Sequence, residues 1–177
     1  MKHVIGFTLI ESLVVIAMIG VIAAIAMPNL TRALDNARIK GAAQQIVAAL
    51  YFAKTESIRQ NKPVHVQFGN SCIGVKSGNA ICDCTIEDSS NSSYCSARRL
   101  DLSILGIKKG SLSPSVSSII ISPNRGIIST SSATDTLPAT VDATSSNGTT
   151  ISISINMLGK FSMCTNAAQP LPGVMAC

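Results

Sequence analysis

Residues 6–28 read GFTLIESLVVIAMIGVIAAIAMP, from Gly6 to Pro28. Between Phe7 and Met27 the only charged side chain is that of Glu11. As a helix, a run of about 20 residues spans roughly 30 Å of hydrocarbon, so this stretch predicts a helix able to cross a membrane. Outward from it, the chain of 177 residues leaves room for one modest globular domain. The composition is 46% hydrophobic but only 3% aromatic, and much of the Ile, Val and Ala sits near the start. A net charge of +5 and a sequence pI near 9.0 suit an anionic partner. The basic residues are spread along the chain without a block of five or six, the pattern of a solvated surface.

Ahead of the apolar run lies a short leader with Lys2 and His3, and small Gly6 stands at the junction, where a peptidase can approach the backbone. Two plainer accounts compete. A secretory signal peptide would be cut after Ala24-x-Ala26. A plain anchor would simply stay in the membrane. Neither gives Glu11 a purpose, although a carboxylate in the apolar region costs about 2.5 to 3.5 kcal/mol on insertion scales. Pro28, just past the signal-peptide cut, also sits awkwardly.

Gly6-Phe7-Thr8-Leu9-Ile10-Glu11, followed by Ser12-Leu13 and the unbroken apolar run, resembles the signature of the type IV prepilins. The resemblance implies cleavage between Gly6 and Phe7 by a prepilin peptidase, N-methylation of Phe7, and assembly through the helix with other pilins or pseudopilins. Glu11 becomes the fifth residue of the mature chain, where its carboxylate would pair with a Phe7 amine and set the register of packed helices. Pro28 matches the position where the family helix kinks or loosens, since a proline inside a helix removes one donor and crowds the preceding turn. The implied location is the bacterial inner membrane, in contact with its lipid, with the head in the periplasm, and then a fibre. Arg32, Arg38 and Lys40, beyond the span on its outer side, run against the positive-inside tendency. The divisions expected are a leader at 1–6, an assembly helix at 7–28, an amphipathic helix at 29–62 and a β-rich head at 63–177.

Past Pro28, Ile39, Ala43, Ile46, Leu50, Ala53 and Ser57 step at helical spacing, a stripe that needs a sheet to cover it. Arg38, Lys40, Lys54 and Arg59 are expected to face elsewhere or into grooves between subunits. After Asn61-Lys62-Pro63 the period becomes two, with Val64, Val66 and Phe68 alternating against His65 and Gln67. Further strands are expected at 72–76, 100–105, 117–122, 126–130 and 150–157, with a last edge at 160–164. Segments 87–93 and 129–136 read as exposed loops. The fold class is α+β: a long N-terminal helix against an antiparallel sheet. Ile119 to Gly126 and Gly159 to Cys164 make the head similar to the FimT/GspH type of minor pilins and pseudopilins.

Six cysteines in a chain with an export-type segment point to disulfides in an oxidising compartment. Cys164 with Cys177 is the preferred pair, leaving Cys72, Cys82, Cys84 and Cys95 to pair among themselves in an order the sequence leaves open. Cys82-x-Cys84 does not supply the paired C-x-x-C knuckles of a zinc site. Neither a metal nor a cofactor is expected. Asp83, Glu87 and Asp88 lack a full calcium loop. With His3 in the leader and His65 alone in a strand, there is little on which to build an enzyme. DNA is a partner to weigh, because some FimT-like pilins take it up through a glycine-led arginine motif near the C-terminus. Here Gly159-Lys160-Phe161-Ser162 has a lysine and no second arginine, leaving Arg98, Arg99, Lys108, Lys109, Arg125 and Lys160 as candidate phosphate contacts. The function expected is that of a non-catalytic FimT/FimU-like minor pilin, with a GspH-like pseudopilin of type II secretion and a DNA-uptake pilin as alternatives.

Overall fold

A computed structural model describes residues 8–105, 111–132, 135–166 and 171–177. The chain forms two compact units, Met1–Leu34 and Asp35–Cys177, described separately below. The first helix, α1, spans Leu9–Gln60. Thr8 caps it, with Oγ1 accepting a hydrogen bond from the Glu11 N–H at 3.3 Å, so one of the unpaired first-turn donors is satisfied. The helix continues through Pro28, whose missing N–H leaves the ladder one hydrogen bond short. The Pro28 carbonyl accepts from Thr31 Oγ1 at 3.0 Å.

In the head, β1 (Val64–Phe68), β2 (Cys72–Ser77), β3 (Arg98–Asp101), β5 (Ser118–Ile121) and β6 (Ile128–Thr130) form one antiparallel sheet in the order β3-β2-β1-β5-β6. β4 (Leu112–Pro114), β7 (Ala139–Thr144), β8 (Thr150–Ile155), β9 (Phe161–Thr165) and β10 (Met175–Ala176) form a second, in the order β10-β9-β8-β7-β4. The period-two alternation puts Val64, Val66 and Phe68 of β1 and Ile151, Ile153 and Ile155 of β8 on the inner faces. The predicted stripe of α1, Ile39 to Ser57, is buried in full, and its apolar members share one core with both sheets. Ala42, Ala43, Ala49 and Ala53 are small enough to bring the helix backbone close to the strands.

The α+β class agrees with the sequence reading, and several details differ. The head has two sheets, and β10 runs parallel to β9, so the strand expected at 160–164 is not an edge. The strand expected over 100–105 begins at Arg98 and gives way after Asp101 to a 3-10 turn, Ser103–Leu105, because Asp101 Oδ1 captures the Ser103 N–H at 2.9 Å. Ser129 and Thr130 belong to β6, in line with the strand expected at 126–130 and not with the overlapping loop expected at 129–136. Lys40 and Lys54 do not face away from the head; both donate to its backbone carbonyls.

Candidate functional site

In the first unit, no side chain from Leu9 to Leu34 is covered by protein. Leu9 is 80% exposed and Ile25 68%, and one 18-residue window of α1 has a mean hydropathy of 2.6. By length and composition the helix can cross a membrane. Glu11 lies in its first turn, where a carboxylate favourably faces the positive end of the helix dipole. Gly6 and Phe7, and with them the expected cleavage bond and amine, lie outside the described residues.

In the second unit, polar contacts from Asp35 to Lys54 fasten α1 to the head. Asp35 Oδ2 accepts from Ser146 Oγ at 2.7 Å, and Asn36 Oδ1 from Thr149 Oγ1 at 3.3 Å, so the β7–β8 turn grips the helix. Lys40 Nζ donates to the Pro172 carbonyl. Lys54 Nζ donates to the carbonyls of Gly159 at 3.0 Å and Leu158 at 3.4 Å, while its stem lies against Gly126. Gly126 and Gly159 have φ of +63° and +70°, and a Cβ on either would come within 2.7 Å or 2.6 Å of the Lys54 side chain. One lysine thus ties together the helix, the β5–β6 turn and the β8–β9 turn. Near the helix end, hydrogen bonds from Arg59 and Gln60 hold the Glu56 carboxyl below its usual range.

The six cysteines are paired as Cys72–Cys84, Cys82–Cys95 and Cys164–Cys177. The first two bridges are buried together and staple the β2–β3 connection over the outer face of the first sheet. Side chains of the sheet fix that cap: Gln67 Oε1 accepts the Cys84 N–H at 2.9 Å, Arg99 Nε donates to the Cys84 carbonyl at 2.6 Å, and Lys76 Nζ donates to the Ser92 carbonyl. Hydrogen bonds from Thr85 and Ser90 keep the Asp83 and Asp88 carboxyls below their ordinary range. Each is thereby a local turn-former. Among the described residues no group of acidic, histidine or cysteine side chains is arranged to hold a metal.

The described candidate phosphate contacts fall into two separate groups. Arg98 stacks over the Phe52 ring, 5.5 Å from its centroid, and Arg99 is engaged by Glu87 at 3.0 Å and Asp101 at 3.7 Å. Arg125 and Lys160 sit in the turns that flank Lys54, Arg125 at the edge of the first sheet away from β3 and Lys160 at the second sheet. Lys108 and Lys109 lie outside the described residues. His65 is buried on β1, its Nδ1 without a hydrogen-bond partner, and burial pushes its pKa down. The sequence had not revealed the Lys54 lock, although Arg125-Gly126 and Leu158-Gly159 carry its signal as two turn glycines.

An uncovered apolar helix with one early carboxylate, continued into the core of a disulfide-stapled β head, is the architecture of a type IV pilin-like subunit. The family described as Type II transport protein GspH matches residues 42–159, and the Prokaryotic N-terminal methylation motif matches residues 1–27. Over 95 residues the chain is 35% identical to the type IV wide pilus major component PilA4 of Thermus thermophilus, covering 54% of this chain and 72% of that one. No solved structure matches. The chain belongs to the GspH family of type IV pilin-like proteins. These are structural proteins that assemble with other pilins, and the methylation motif implies processing by a prepilin peptidase.

Proposed function

We propose that this chain is a minor subunit of a type IV pilus, of the FimT/FimU kind, acting where the fibre is initiated or capped. Before assembly it is held in the bacterial inner membrane by a single span, with its head in the periplasm. Cleavage between Gly6 and Phe7 and methylation of Phe7 precede its transfer into the fibre. The observation that carries this reading is the exposed apolar stretch of α1 over residues 9–34, whose one carboxylate, Glu11, is costly in lipid and gains a partner against another helix. There it meets the Phe7 amine of the same or a neighbouring subunit and fixes the axial register.

The test is Glu11→Val, read in two ways. Membrane insertion is preserved or improved, because the one costly group of the span is gone. Incorporation into sheared fibres falls, because the amine loses its counter-ion, at a cost of roughly 3 to 5 kcal/mol where desolvation is complete. Normal incorporation at normal expression removes the proposed role of Glu11. A pseudopilin of a type II secretion system is the second reading, favoured by the GspH match over residues 42–159. Deleting the chain separates the two: lost surface fibres with intact protein export supports the first, and lost export with intact fibres the second.

A further inference from the structure

Asn147 and Gly148 stand at the tip of the turn that grips α1. With Ser146 they form a three-residue loop between β7 and β8. The Gly148 N–H donates to the Ser145 carbonyl at 3.1 Å and the Ser145 N–H to the Thr149 carbonyl at 2.8 Å, while Gly148 takes the left-handed φ of +78° that such a loop requires. The residues on either side of the pair make the grip, Ser146 through Asp35 and Thr149 through Asn36. Asn147 is exposed, and its side chain has no hydrogen-bond partner among the described residues. Of the ten asparagines in the chain, only Asn147 precedes a glycine. That order matters chemically. The backbone nitrogen after an asparagine can attack its side-chain carbonyl, and a side chain on the attacking residue obstructs the approach. At Gly148 even an added Cβ would meet no atom within 4 Å. Other asparagine amides are restrained: Asn91 and Asn156 accept from the N–H groups of Ser93 and Leu158, and Asn36 lies inside α1.

We propose that Asn147 is a site of spontaneous deamidation, and that the change irreversibly loosens the hold of the β7–β8 turn on α1. The Gly148 nitrogen bonds to Asn147 Cγ, the Cγ–Nδ2 bond breaks, and Nδ2 leaves as ammonia with the proton that Gly148 loses. Water then opens the resulting cyclic imide at one of its carbonyls. One opening leaves aspartate at position 147; the other leaves isoaspartate, with the main chain running through the side-chain carbon. Water is the sole co-reactant. Either product puts a carboxylate one residue from the hydroxyl that Asp35 accepts, and like charges repel. Isoaspartate also adds an atom to the main chain of a three-residue loop, which spoils its fit to the Ser145–Thr149 pair. Because Ser145 engages the Gly148 N–H, attack waits on opening of the turn, and the folded protein reacts more slowly than a free peptide of the same sequence.

The site goes beyond the fibre-subunit reading and does not rest on it. To test it, the full-length chain in detergent is aged at neutral and at mildly alkaline pH, digested, and read by mass spectrometry with fragmentation that separates aspartate from isoaspartate. The expected result is conversion of amide to carboxyl at Asn147 ahead of every other asparagine, and faster at the higher pH, because the attacking nitrogen must shed its proton. In the aged protein, amide hydrogen exchange at Ser145, Gly148 and Thr149 rises by roughly tenfold or more. Asn147→Gln, whose longer side chain closes the ring poorly, keeps the exchange of fresh wild type through the same ageing. Conversion first at another asparagine, a rate indifferent to pH, or no conversion at Asn147 would overturn the proposed site. So would a carbohydrate found on Asn147, which begins an Asn-x-Thr acceptor triplet. Conversion at Asn147 with unchanged exchange in the turn would overturn the loosening.

Discussion

Gly74 sits on β2 with the ladder closed on both sides, by β1 and by β3. Its α-carbon faces the two bridges of the cap. A Cβ added there would lie 2.1 Å from Cys95 Sγ, 3.0 Å from Cys82 Sγ and 3.1 Å from Cys84 Cβ. Non-bonded heavy atoms settle about 3.5 to 4.0 Å apart, so Gly74→Ala asks the Cys95 sulfur to retreat by more than about 1 Å. It cannot swing alone, being bonded to Cys82, and β2, paired on both sides, cannot give without breaking its ladders. If the bridge survives, the cost is that of overpacking, about 1 to 3 kcal/mol. Should Cys82–Cys95 fail to close, the loss is the cross-link itself, about 3 kcal/mol for a loop of this length. The assay combines a urea midpoint on the full chain in detergent with thiol labelling of denatured, unreduced protein. Wild type labels at no cysteine, and Gly74→Ala unfolds at lower urea, with two labelled thiols in any fraction that lacks the bridge. Gly41→Ala is the control: no heavy atom lies within 4 Å of its Cβ, and the helix gains about 0.5 to 1 kcal/mol. A wild-type midpoint with no labelled thiol in Gly74→Ala would refute this account of the cap.

Two further outcomes follow from other parts of the chain. Because burial depresses the His65 pKa in the folded state, the unfolded chain binds the extra proton first, and stability falls as the pH drops below about 6.5. Asp83 and Asp88 titrate well below that window, so His65→Gln should flatten the decline between pH 6.5 and 5, as measured by urea unfolding; an unchanged decline assigns it to other groups. Mass spectrometry of the mature protein should find methylated Phe7 at its N-terminus, with maturation slowed or blocked by Gly6→Ala, whereas an N-terminus at Met27 would establish an ordinary signal peptide.

The helix and the stronger strands were legible because their periods are local. Ile39 to Ser57 repeats at helical spacing, and Val64 to Phe68 and Ile151 to Ile155 alternate with large apolar residues. β7 escaped notice although it is interior to the second sheet and equally regular. Its inward residues are Ala139, Val141 and Ala143, and two alanines give little hydropathic contrast against Thr140, Asp142 and Thr144. The division into two sheets depends on pairings far apart in sequence, such as Leu112 with Ala143, which no local pattern encodes. Among the cysteines, the Cys164–Cys177 pair was readable from its isolation at one end. The crossed order of the other four follows from the path of the cap over Gly74, a tertiary matter. Lys54 looked like a solvated helix lysine because its partners are backbone carbonyls, which leave no side-chain signature.

The physics of the uncovered helix bears on how a subunit leaves the membrane. Lipid tails are as apolar as leucine, so moving Leu9, Ile16, Ile22 and their neighbours from lipid onto other helices gains little hydrophobic free energy. In the proposed reading, the group whose state changes most in that transfer is Glu11. In the bilayer its carboxylate costs about 2.5 to 3.5 kcal/mol; in a helix bundle it acquires an amine partner. The difference is of the size needed to favour one register over a shifted one by tenfold or more.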